Sequence, residues 1–144
     1  MLYLGRYNNS IDAKGRVVIP AKFRDKLGES FVVCGGFDHS LFVYSMEDFE
    51  DFSSKLMELP RSDEKARLFR QFFLTTATEV EPDKQGRILL GEDLIRFAGI
   101  KKDVVVVGNG EHIEIWSKER FRDAESFGDI DELAGALAEY GLRI

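Results

Sequence analysis

Residues 12–20 read Asp-Ala-Lys-Gly-Arg-Val-Val-Ile-Pro, and residues 83–91 read Asp-Lys-Gln-Gly-Arg-Ile-Leu-Leu-Gly. An aspartate, a glycine and an arginine recur at the same spacing 71 residues later, and three aliphatic residues follow each arginine. A second block repeats in the same order, because residues 41–49 match residues 113–121 at a serine, a glutamate and a phenylalanine. Two matching blocks in one order indicate an internal duplication.

Each copy predicts the same order of short elements. A polar strand, at residues 3–11 and 75–81, leads into the Asp-x-x-Gly-Arg segment, which is typical of a turn because glycine adopts backbone angles that other residues resist. A short buried strand, a helix of about two turns that ends at a glycine, and a hairpin of β-branched strands follow. The predicted hairpin turns are Gly35-Gly36 and Gly108-Asn-Gly110, and the predicted helix N-caps are Ser45 and Ser117. Since each copy has only about 45 residues, we expect both to share one core.

Helical segments lie between and after the copies. The first predicted helix has one apolar face and ends before Pro60. A second helix is predicted to start at Ser62, and a final helix is predicted to be amphipathic. Their apolar positions are Phe49, Phe52, Leu56 and Leu59; Ala66, Phe69 and Phe73; and Ile130, Leu133, Leu137 and Tyr140. Phe69, Phe72 and Phe73 fit either the core or a contact between subunits. We assign repeat 1 to residues 1–52, connecting helices to 53–74, repeat 2 to 75–123 and a C-terminal helix to 124–144.

The charge is unevenly distributed along the chain. The net charge is −6, yet residues 1–26 carry +4 and the remainder −10. The basic residues of that first segment are Arg6, Lys14, Arg16, Lys22, Arg24 and Lys26. A basic segment on an acidic body suits a protein that binds DNA through one face and repels it elsewhere.

Several classes of enzyme lack their characteristic residues here. The chain has two histidines and one cysteine, and it contains no HExxH, P-loop, GxSxG or complete GxGxxG motif. His39 and His112 have no accompanying ligand pattern, and Cys34 is alone, so we expect no metal, no cofactor and no internal disulfide. Among the classes of enzyme considered, only one that uses carboxylate groups alone remains compatible with this composition. No apolar run approaches the roughly 20 residues of a membrane span, and the start lacks a signal-peptide pattern, so a cytoplasmic protein is expected.

The duplicated motif resembles that of the MraZ family of bacterial transcription regulators. The resemblance rests on Asp12-Ala-Lys-Gly-Arg16 with Val-Val-Ile-Pro and on the second copy, Asp83-Lys-Gln-Gly-Arg87, and it extends over essentially the whole chain. It implies an α+β fold with a mainly β core, namely a small swapped-hairpin β-barrel of the AbrB and MazE type, formed by two intrachain repeats with added helices. One departure is Gly91, which stands where the first copy has Pro20.

The resemblance also implies a function. A member of this family is expected to bind double-stranded DNA, at short repeated boxes in the promoter of the division and cell-wall gene cluster that includes its own gene. It is further expected to form a ring-shaped homo-oligomer, to associate with the nucleoid, to need no cofactor and to have no enzymatic activity.

Arg16 and Arg87 are the main candidates for DNA contact. A guanidinium group on a turn can bind guanine or phosphate through two parallel hydrogen bonds. The other reading pairs each arginine with the aspartate of its own turn, Asp12 or Asp83, and makes the pair structural. With the resemblance we favour DNA contact for Arg16, and we leave Arg87 open because the charges around it along the sequence balance.

The other candidate contacts lie beside the turns. Lys14 and Lys84 belong to the turns themselves, which Gly15 and Gly86 shape, while Lys22, Arg24 and Lys26 follow on the first helix. The helix residues fit either phosphate contact or an ordinary solvated face.

Two further classes of function compete with a regulator. A protein-interaction module or scaffold of the antitoxin type would use the same barrel, but its partner-binding tail would be disordered, whereas residues 129–140 have helical periodicity. A carboxylate enzyme gives no reason for the basic first segment. The sequence therefore favours a sequence-specific DNA-binding transcriptional regulator.

Overall fold

The computed structural model describes residues 2–142, which form eight β-strands and six α-helices. The first copy contributes β1 (Arg6–Ser10), β2 (Arg16–Val18), α1 (Ala21–Leu27), β3 (Phe31–Gly35), β4 (Leu41–Ser45) and α2 (Met46–Met57). The connecting helix is α3 (Glu64–Thr76). The second copy contributes β5 (Thr78–Val80), β6 (Arg87–Leu89), α4 (Glu92–Ala98), β7 (Asp103–Asn109), β8 (His112–Ser117) and α5 (Lys118–Ala124), and α6 (Ile130–Ala136) follows. Short 3-10 turns span Phe37–His39 and Leu137–Tyr140.

The two copies exchange strands in a six-stranded antiparallel sheet of order β1-β7-β8-β4-β3-β5. The first strand of copy one, β1, pairs with β7 of copy two, and β5 of copy two pairs with β3 of copy one. At the centre β4 lies beside β8, with Phe42 opposite Glu114. Neither copy therefore completes its part of the sheet alone.

A two-stranded ribbon of β2 and β6 joins the copies a second time. Val17 is opposite Ile88 in this antiparallel pair, and both are fully buried. Because side chains alternate along a strand, the opposite face of the ribbon carries Arg16, Val18, Arg87 and Leu89. Leu89 is 61% exposed there.

The main core lies between the ribbon and the large sheet. It combines Phe23 and Leu27 of α1 with Leu94 and Ala98 of α4, and it also includes Val104 of β7. Alternate residues of the sheet point to its other face, where α2 and α3 cover the first copy and α5 covers the second. This second layer contains buried Phe73, half-buried Phe72 and exposed Phe69.

The α+β class with a mainly antiparallel sheet is confirmed, but the strand pairings of residues 2–142 form no closed barrel. The reason is the shortness of β2 and β6. Each has three residues and pairs with the other, and a single bridge between Ile11 and Val17 joins the ribbon to the chain beside β1. The ribbon contacts the large sheet mainly through side chains.

The predicted hairpin turns are placed one to three residues too early. Gly35 is the last residue of β3, and the chain reverses through Asp38 and His39, whose φ angles are +56° and +61°. A side chain at position 35 would clash with Phe72, since a Cβ there would lie 2.5 Å from its ring. Close packing explains this glycine. In the second hairpin β7 continues through Asn109, and the turn starts at Gly110.

Two of the three predicted N-caps are confirmed. Ser45 accepts a hydrogen bond from the backbone N–H of Asp48, and Ser117 accepts one from Arg120. Ser62 is wrong as a cap: Asp63 takes this place and accepts from the backbone N–H of Lys65 at 2.9 Å. An aspartate one residue further on suits the same role, and the helix begins after it.

A C-terminal helix is present as α6 (Ile130–Ala136), with Asp129 as its N-cap, but it is shorter than predicted, because Leu137 and Tyr140 lie in a 3-10 turn and Ala124 ends α5. Residues 143 and 144 of the predicted segment lie outside the described residues. No helix in the described part of the chain is both long and apolar enough to cross a membrane.

Candidate nucleic-acid interface

The Asp-x-x-Gly-Arg segment of the first copy is a closed turn. Asp12 Oδ1 accepts hydrogen bonds from the backbone N–H groups of Lys14 and Arg16, both at 2.9 Å. Asp12 Oδ2 accepts a third from Arg16 Nε at 2.7 Å. Gly15 has a φ of +84°, a conformation that side chains disfavour, which explains the glycine.

The second copy reproduces this turn. Asp83 accepts from the backbone N–H groups of Gln85 and Arg87 at 2.9 Å and from Arg87 Nε at 2.7 Å. Gly86 has a φ of +80°. The ion pairs of the structural reading are thus present in both turns.

The hydrogen bonds favour the charged form of both carboxylates. The pKa of Asp12 is lowered chiefly by the hydrogen bond from the backbone N–H of Arg16. Desolvation raises this pKa in part, and the hydrogen bond from the Arg16 side chain lowers it further. The backbone N–H of Arg87 lowers the pKa of Asp83 in the same way. Within the described residues, neither arginine donates a hydrogen bond from its two terminal nitrogens. The ion pair and a DNA contact are therefore compatible.

The ribbon brings the two turns together. Leu90 N–H donates to the Gly15 carbonyl at 2.8 Å, and Ile19 N–H donates to the Gly86 carbonyl at 2.9 Å. Arg87 Nη1 lies 3.9 Å from Asp12 Oδ2, so the second arginine reaches the carboxylate of the first turn. Both arginine side chains are 29% exposed. Two residues that are 71 positions apart in sequence form one patch.

Arg24 occupies a place that the sequence did not predict. Its Nε donates to the Ile19 carbonyl at 2.8 Å, and its guanidinium lies against Gly86 of the other copy, where a Cβ would be 2.6 Å from Cζ. At the equivalent place in the first turn, Ile95 lies against Gly15. Arg24 therefore supports the second turn and adds a positive charge beside it, which a count along the sequence misses.

The remaining candidates are spread around the patch. Lys14 and Lys84 are exposed on the two turns, and Lys22 is exposed on α1. Lys26 donates to the Leu2 carbonyl at 2.6 Å, so this amine already has a protein partner. Sequence reasoning missed Leu89, because its aliphatic run was read as a buried strand. The alternation of β6 is the signal that identifies its outward side chain.

A buried carboxylate lies in the other layer of the molecule. Glu114 accepts hydrogen bonds from Asn109 and Trp116, and His112 Nε2 lies 2.9 Å from its Oε2. Burial raises the pKa of Glu114, but these three partners together outweigh burial and hold its pKa below the usual value. His112 is thus part of a side-chain network. No group of three metal-ligating side chains is present among residues 2–142.

Fold and site define a class: a duplicated α+β protein whose copies exchange strands and place two Asp-Arg turns on one exposed ribbon. The chain matches the family described as "MraZ protein, putative antitoxin-like" in two regions, residues 2–72 and 73–131. The chain belongs to the MraZ family.

Relatives that match this chain over nearly their full length carry the name of the same family. The chain is 48% identical over 141 residues to "Transcriptional regulator MraZ" of Lachnoclostridium phytofermentans, with 98% of this chain and 99% of that protein covered. It is 45% identical over 139 residues to the protein of the same name from Acetivibrio thermocellus, covering 96% and 95% of the two chains. For the Clostridium tetani protein of that name, the identity is 39% over 142 residues, covering 98% and 100%.

Proposed function

We propose that this chain is a DNA-binding transcriptional regulator that contacts double-stranded DNA through the β2–β6 ribbon and its two turns. The names of its relatives support the class of function. The observation that carries the mode of binding is the placement of Arg16 and Arg87 on the outward face of the ribbon, each 29% exposed and held by an aspartate.

The chemistry of the patch suits the major groove, which admits a two-stranded β-ribbon. The terminal nitrogens of Arg16 and Arg87 provide paired donors for the O6 and N7 acceptors of guanine. Leu89 provides an apolar surface for a thymine methyl group. Lys14, Lys84 and Lys22 surround this face and suit phosphate contacts, which position a protein on the duplex.

The exchanged strands support a swapped-hairpin arrangement of the AbrB type, with ribbon and sheet enclosing one core in place of a closed barrel. Our proposal has two repeats, predicted at residues 1–52 and 75–123, connecting helices at 53–74 and a C-terminal helix at 124–144. These bounds fall inside α2, α3 and α5, so we place the divisions at the ends of those helices. A protein with this function acts in the cytoplasm, at the nucleoid, and it has no catalytic activity.

A ring-shaped homo-oligomer completes the proposal. One ribbon contacts only a short stretch of duplex, so a single subunit binds a short box weakly. Several subunits in a ring engage neighbouring boxes together and gain affinity through effective concentration. The target that fits this arrangement is a promoter with repeated boxes, and we propose that of the division and cell-wall gene cluster that includes its own gene.

The substitution Arg16→Ala tests the proposal. One bidentate base contact contributes about 1–3 kcal/mol, so affinity for a single box should fall about 5- to 150-fold. Arg87→Ala should also weaken binding. The measurement is a fluorescence-anisotropy titration of a labelled duplex that carries one box from upstream of the protein's own gene, with an unrelated duplex as competitor.

Arg122→Ala is the matched control, because Arg122 is an exposed arginine on α5, in the layer away from the ribbon. It should bind like the parent. Melting temperatures of all variants separate a loss of contact from a loss of fold. If Arg16→Ala binds the box as tightly as the parent, or unfolds, the role of Arg16 is wrong.

A further inference from the structure

The helix α6 presents an apolar face that the rest of the chain leaves uncovered. Ile130, Leu133 and Leu137 are 60%, 46% and 41% exposed, and Tyr140 is 78% exposed. Ile130, Leu133 and Ala134 have the spacing i, i+3 and i+4 of anchors that an amphipathic helix places in a groove, and Leu137 and Tyr140 lie in the 3-10 turn that follows. The main contacts of α6 are with its own C-terminal 3-10 turn. An apolar stripe of this kind suits a partner surface.

The same helix is acidic on its solvated sides. Residues 129–140 contain Asp129, Asp131, Glu132 and Glu139 and no lysine or arginine. A partner for α6 therefore needs an apolar centre with a basic rim.

A groove of that description lies elsewhere in the described part of the chain, between the end of α2 and one face of α3. Its volume is about 340 Å³, and its floor includes Leu59, Ala66 and Leu74. Three arginines and no acidic residue line it, namely Arg61, Arg67 and Arg70. None of these arginines forms an ion pair with a residue of the described range 2–142.

We infer that the α6 helix of one copy docks into the α2–α3 groove of a second copy. The inference rests on the proposed homo-oligomer and names the surfaces that build it. Leu133 and Leu137 bury their exposed side chains against the groove floor, and the carboxylates of α6 meet the arginine rim. Helix and groove are different surfaces, so each subunit offers one of each, and such head-to-tail contacts form a ring when the rotation from one subunit to the next closes.

The contact is small for a stable complex by itself, since one helix covers less than the roughly 800 Å² per partner of a standard interface. Ring closure compensates, because each subunit is then held on two sides. The acidic helix and basic rim also disfavour helix-to-helix and groove-to-groove pairing.

Leu133→Asp tests the helix side of the contact. Because Leu133 is exposed within the single chain, the fold and melting temperature of the subunit should be kept. Loss of a central anchor should weaken self-association at least about 30-fold, seen by sedimentation equilibrium as a shift to smaller species. Leu68→Asp is the matched control: Leu68 is 58% exposed on α3 but does not line the groove.

A charge exchange tests the partner of α6. The pair Arg67→Glu with Arg70→Glu should weaken assembly, and so should the pair Asp131→Lys with Glu132→Lys. Both pairs combined in one chain should restore assembly, since attraction across the contact returns with reversed signs. An unaffected mass for Leu133→Asp, or no restoration in the combined variant, overturns the inference.

The outcomes also separate this inference from the proposed function. If the parent sediments as an oligomer and Leu133→Asp does too, only the helix-in-groove contact fails. If the parent is a monomer at micromolar concentration, because α6 folds into its own groove or stays free, both the helix-in-groove contact and the proposed ring are wrong. DNA binding by Arg16 is judged independently, on a duplex with a single box.

Discussion

Each aspartate of the paired turns does two tasks at once. Its Oδ1 binds the backbone N–H groups that close the turn, and its Oδ2 binds the Nε atom of the arginine. A guanidinium held in this way has less conformational freedom to lose on binding, which favours affinity. The ion pairs with Asp12 and Asp83 are thus compatible with the DNA contact that we propose for the two arginines.

The lowered pKa values of Asp12 and Asp83 predict a dependence of stability on pH. A group whose pKa is lower in the folded state stabilises fully above the unfolded pKa, about 3.9 for aspartate, and this stability is lost as the pH falls through the folded value. Melting temperatures of the parent and of an Asp12→Asn, Asp83→Asn variant should differ near neutral pH and converge in acid. A gap that stays constant down to about pH 2.5 would contradict the role of the charged carboxylates.

Four of the six α-helices in residues 2–142 begin after a side chain that accepts a hydrogen bond from a backbone N–H of the first turn, whereas α1 and α4 have no such side chain. Ser45, Asp63, Ser117 and Asp129 all accept from backbone N–H groups of the helix that follows them. The caps Ser45 and Ser117, at the ends of the neighbouring strands β4 and β8, therefore determine where α2 and α5 start on the same face of the large sheet.

The variants Asp63→Ala and Ser62→Ala form a matched pair that tests which residue caps α3. Loss of an N-cap costs about 1 kcal/mol of unfolding free energy, whereas an exposed residue without that role costs within about 0.5 kcal/mol. Asp63→Ala should therefore shift the urea midpoint, and Ser62→Ala should leave it in place. Equal shifts would mean that Asp63 does not cap α3.

The two copies form one cooperative unit in the whole molecule. The strands β1 and β5 each complete the sheet of the other copy, and Val17 and Ile88 meet in the shared core. Opening one copy therefore exposes apolar surface of both.

Ile88→Ala should show this coupling. Truncation of a buried isoleucine costs about 2–5 kcal/mol. Hydrogen exchange should increase in strands of both copies, β3 as well as β7, and calorimetry should give one transition at a lower temperature. Two separate transitions, with the first copy unaffected, would show that the copies unfold independently.

The sequence predicted what depends on neighbours along the chain. The turn from Asp12 to Arg16 was predictable because its hydrogen bonds span four residues or fewer. The partners of β1 and β5 were not predictable from the strand pattern, which states which face is buried and not which strand is the partner; only the family resemblance implied swapped hairpins. The place of Arg24 was missed for the same reason: its contact with Gly86 depends on how α1 crosses to the other copy.

The difference between Arg24 and Ile95 has a consequence for how such a protein evolves. In a dimer of identical chains every substitution occurs twice, so its two halves change together. Here each half is encoded separately, and a guanidinium supports one turn while a methyl group supports the other. Selection can therefore change one turn while the other keeps its original sequence, and a single codon suffices to break the symmetry.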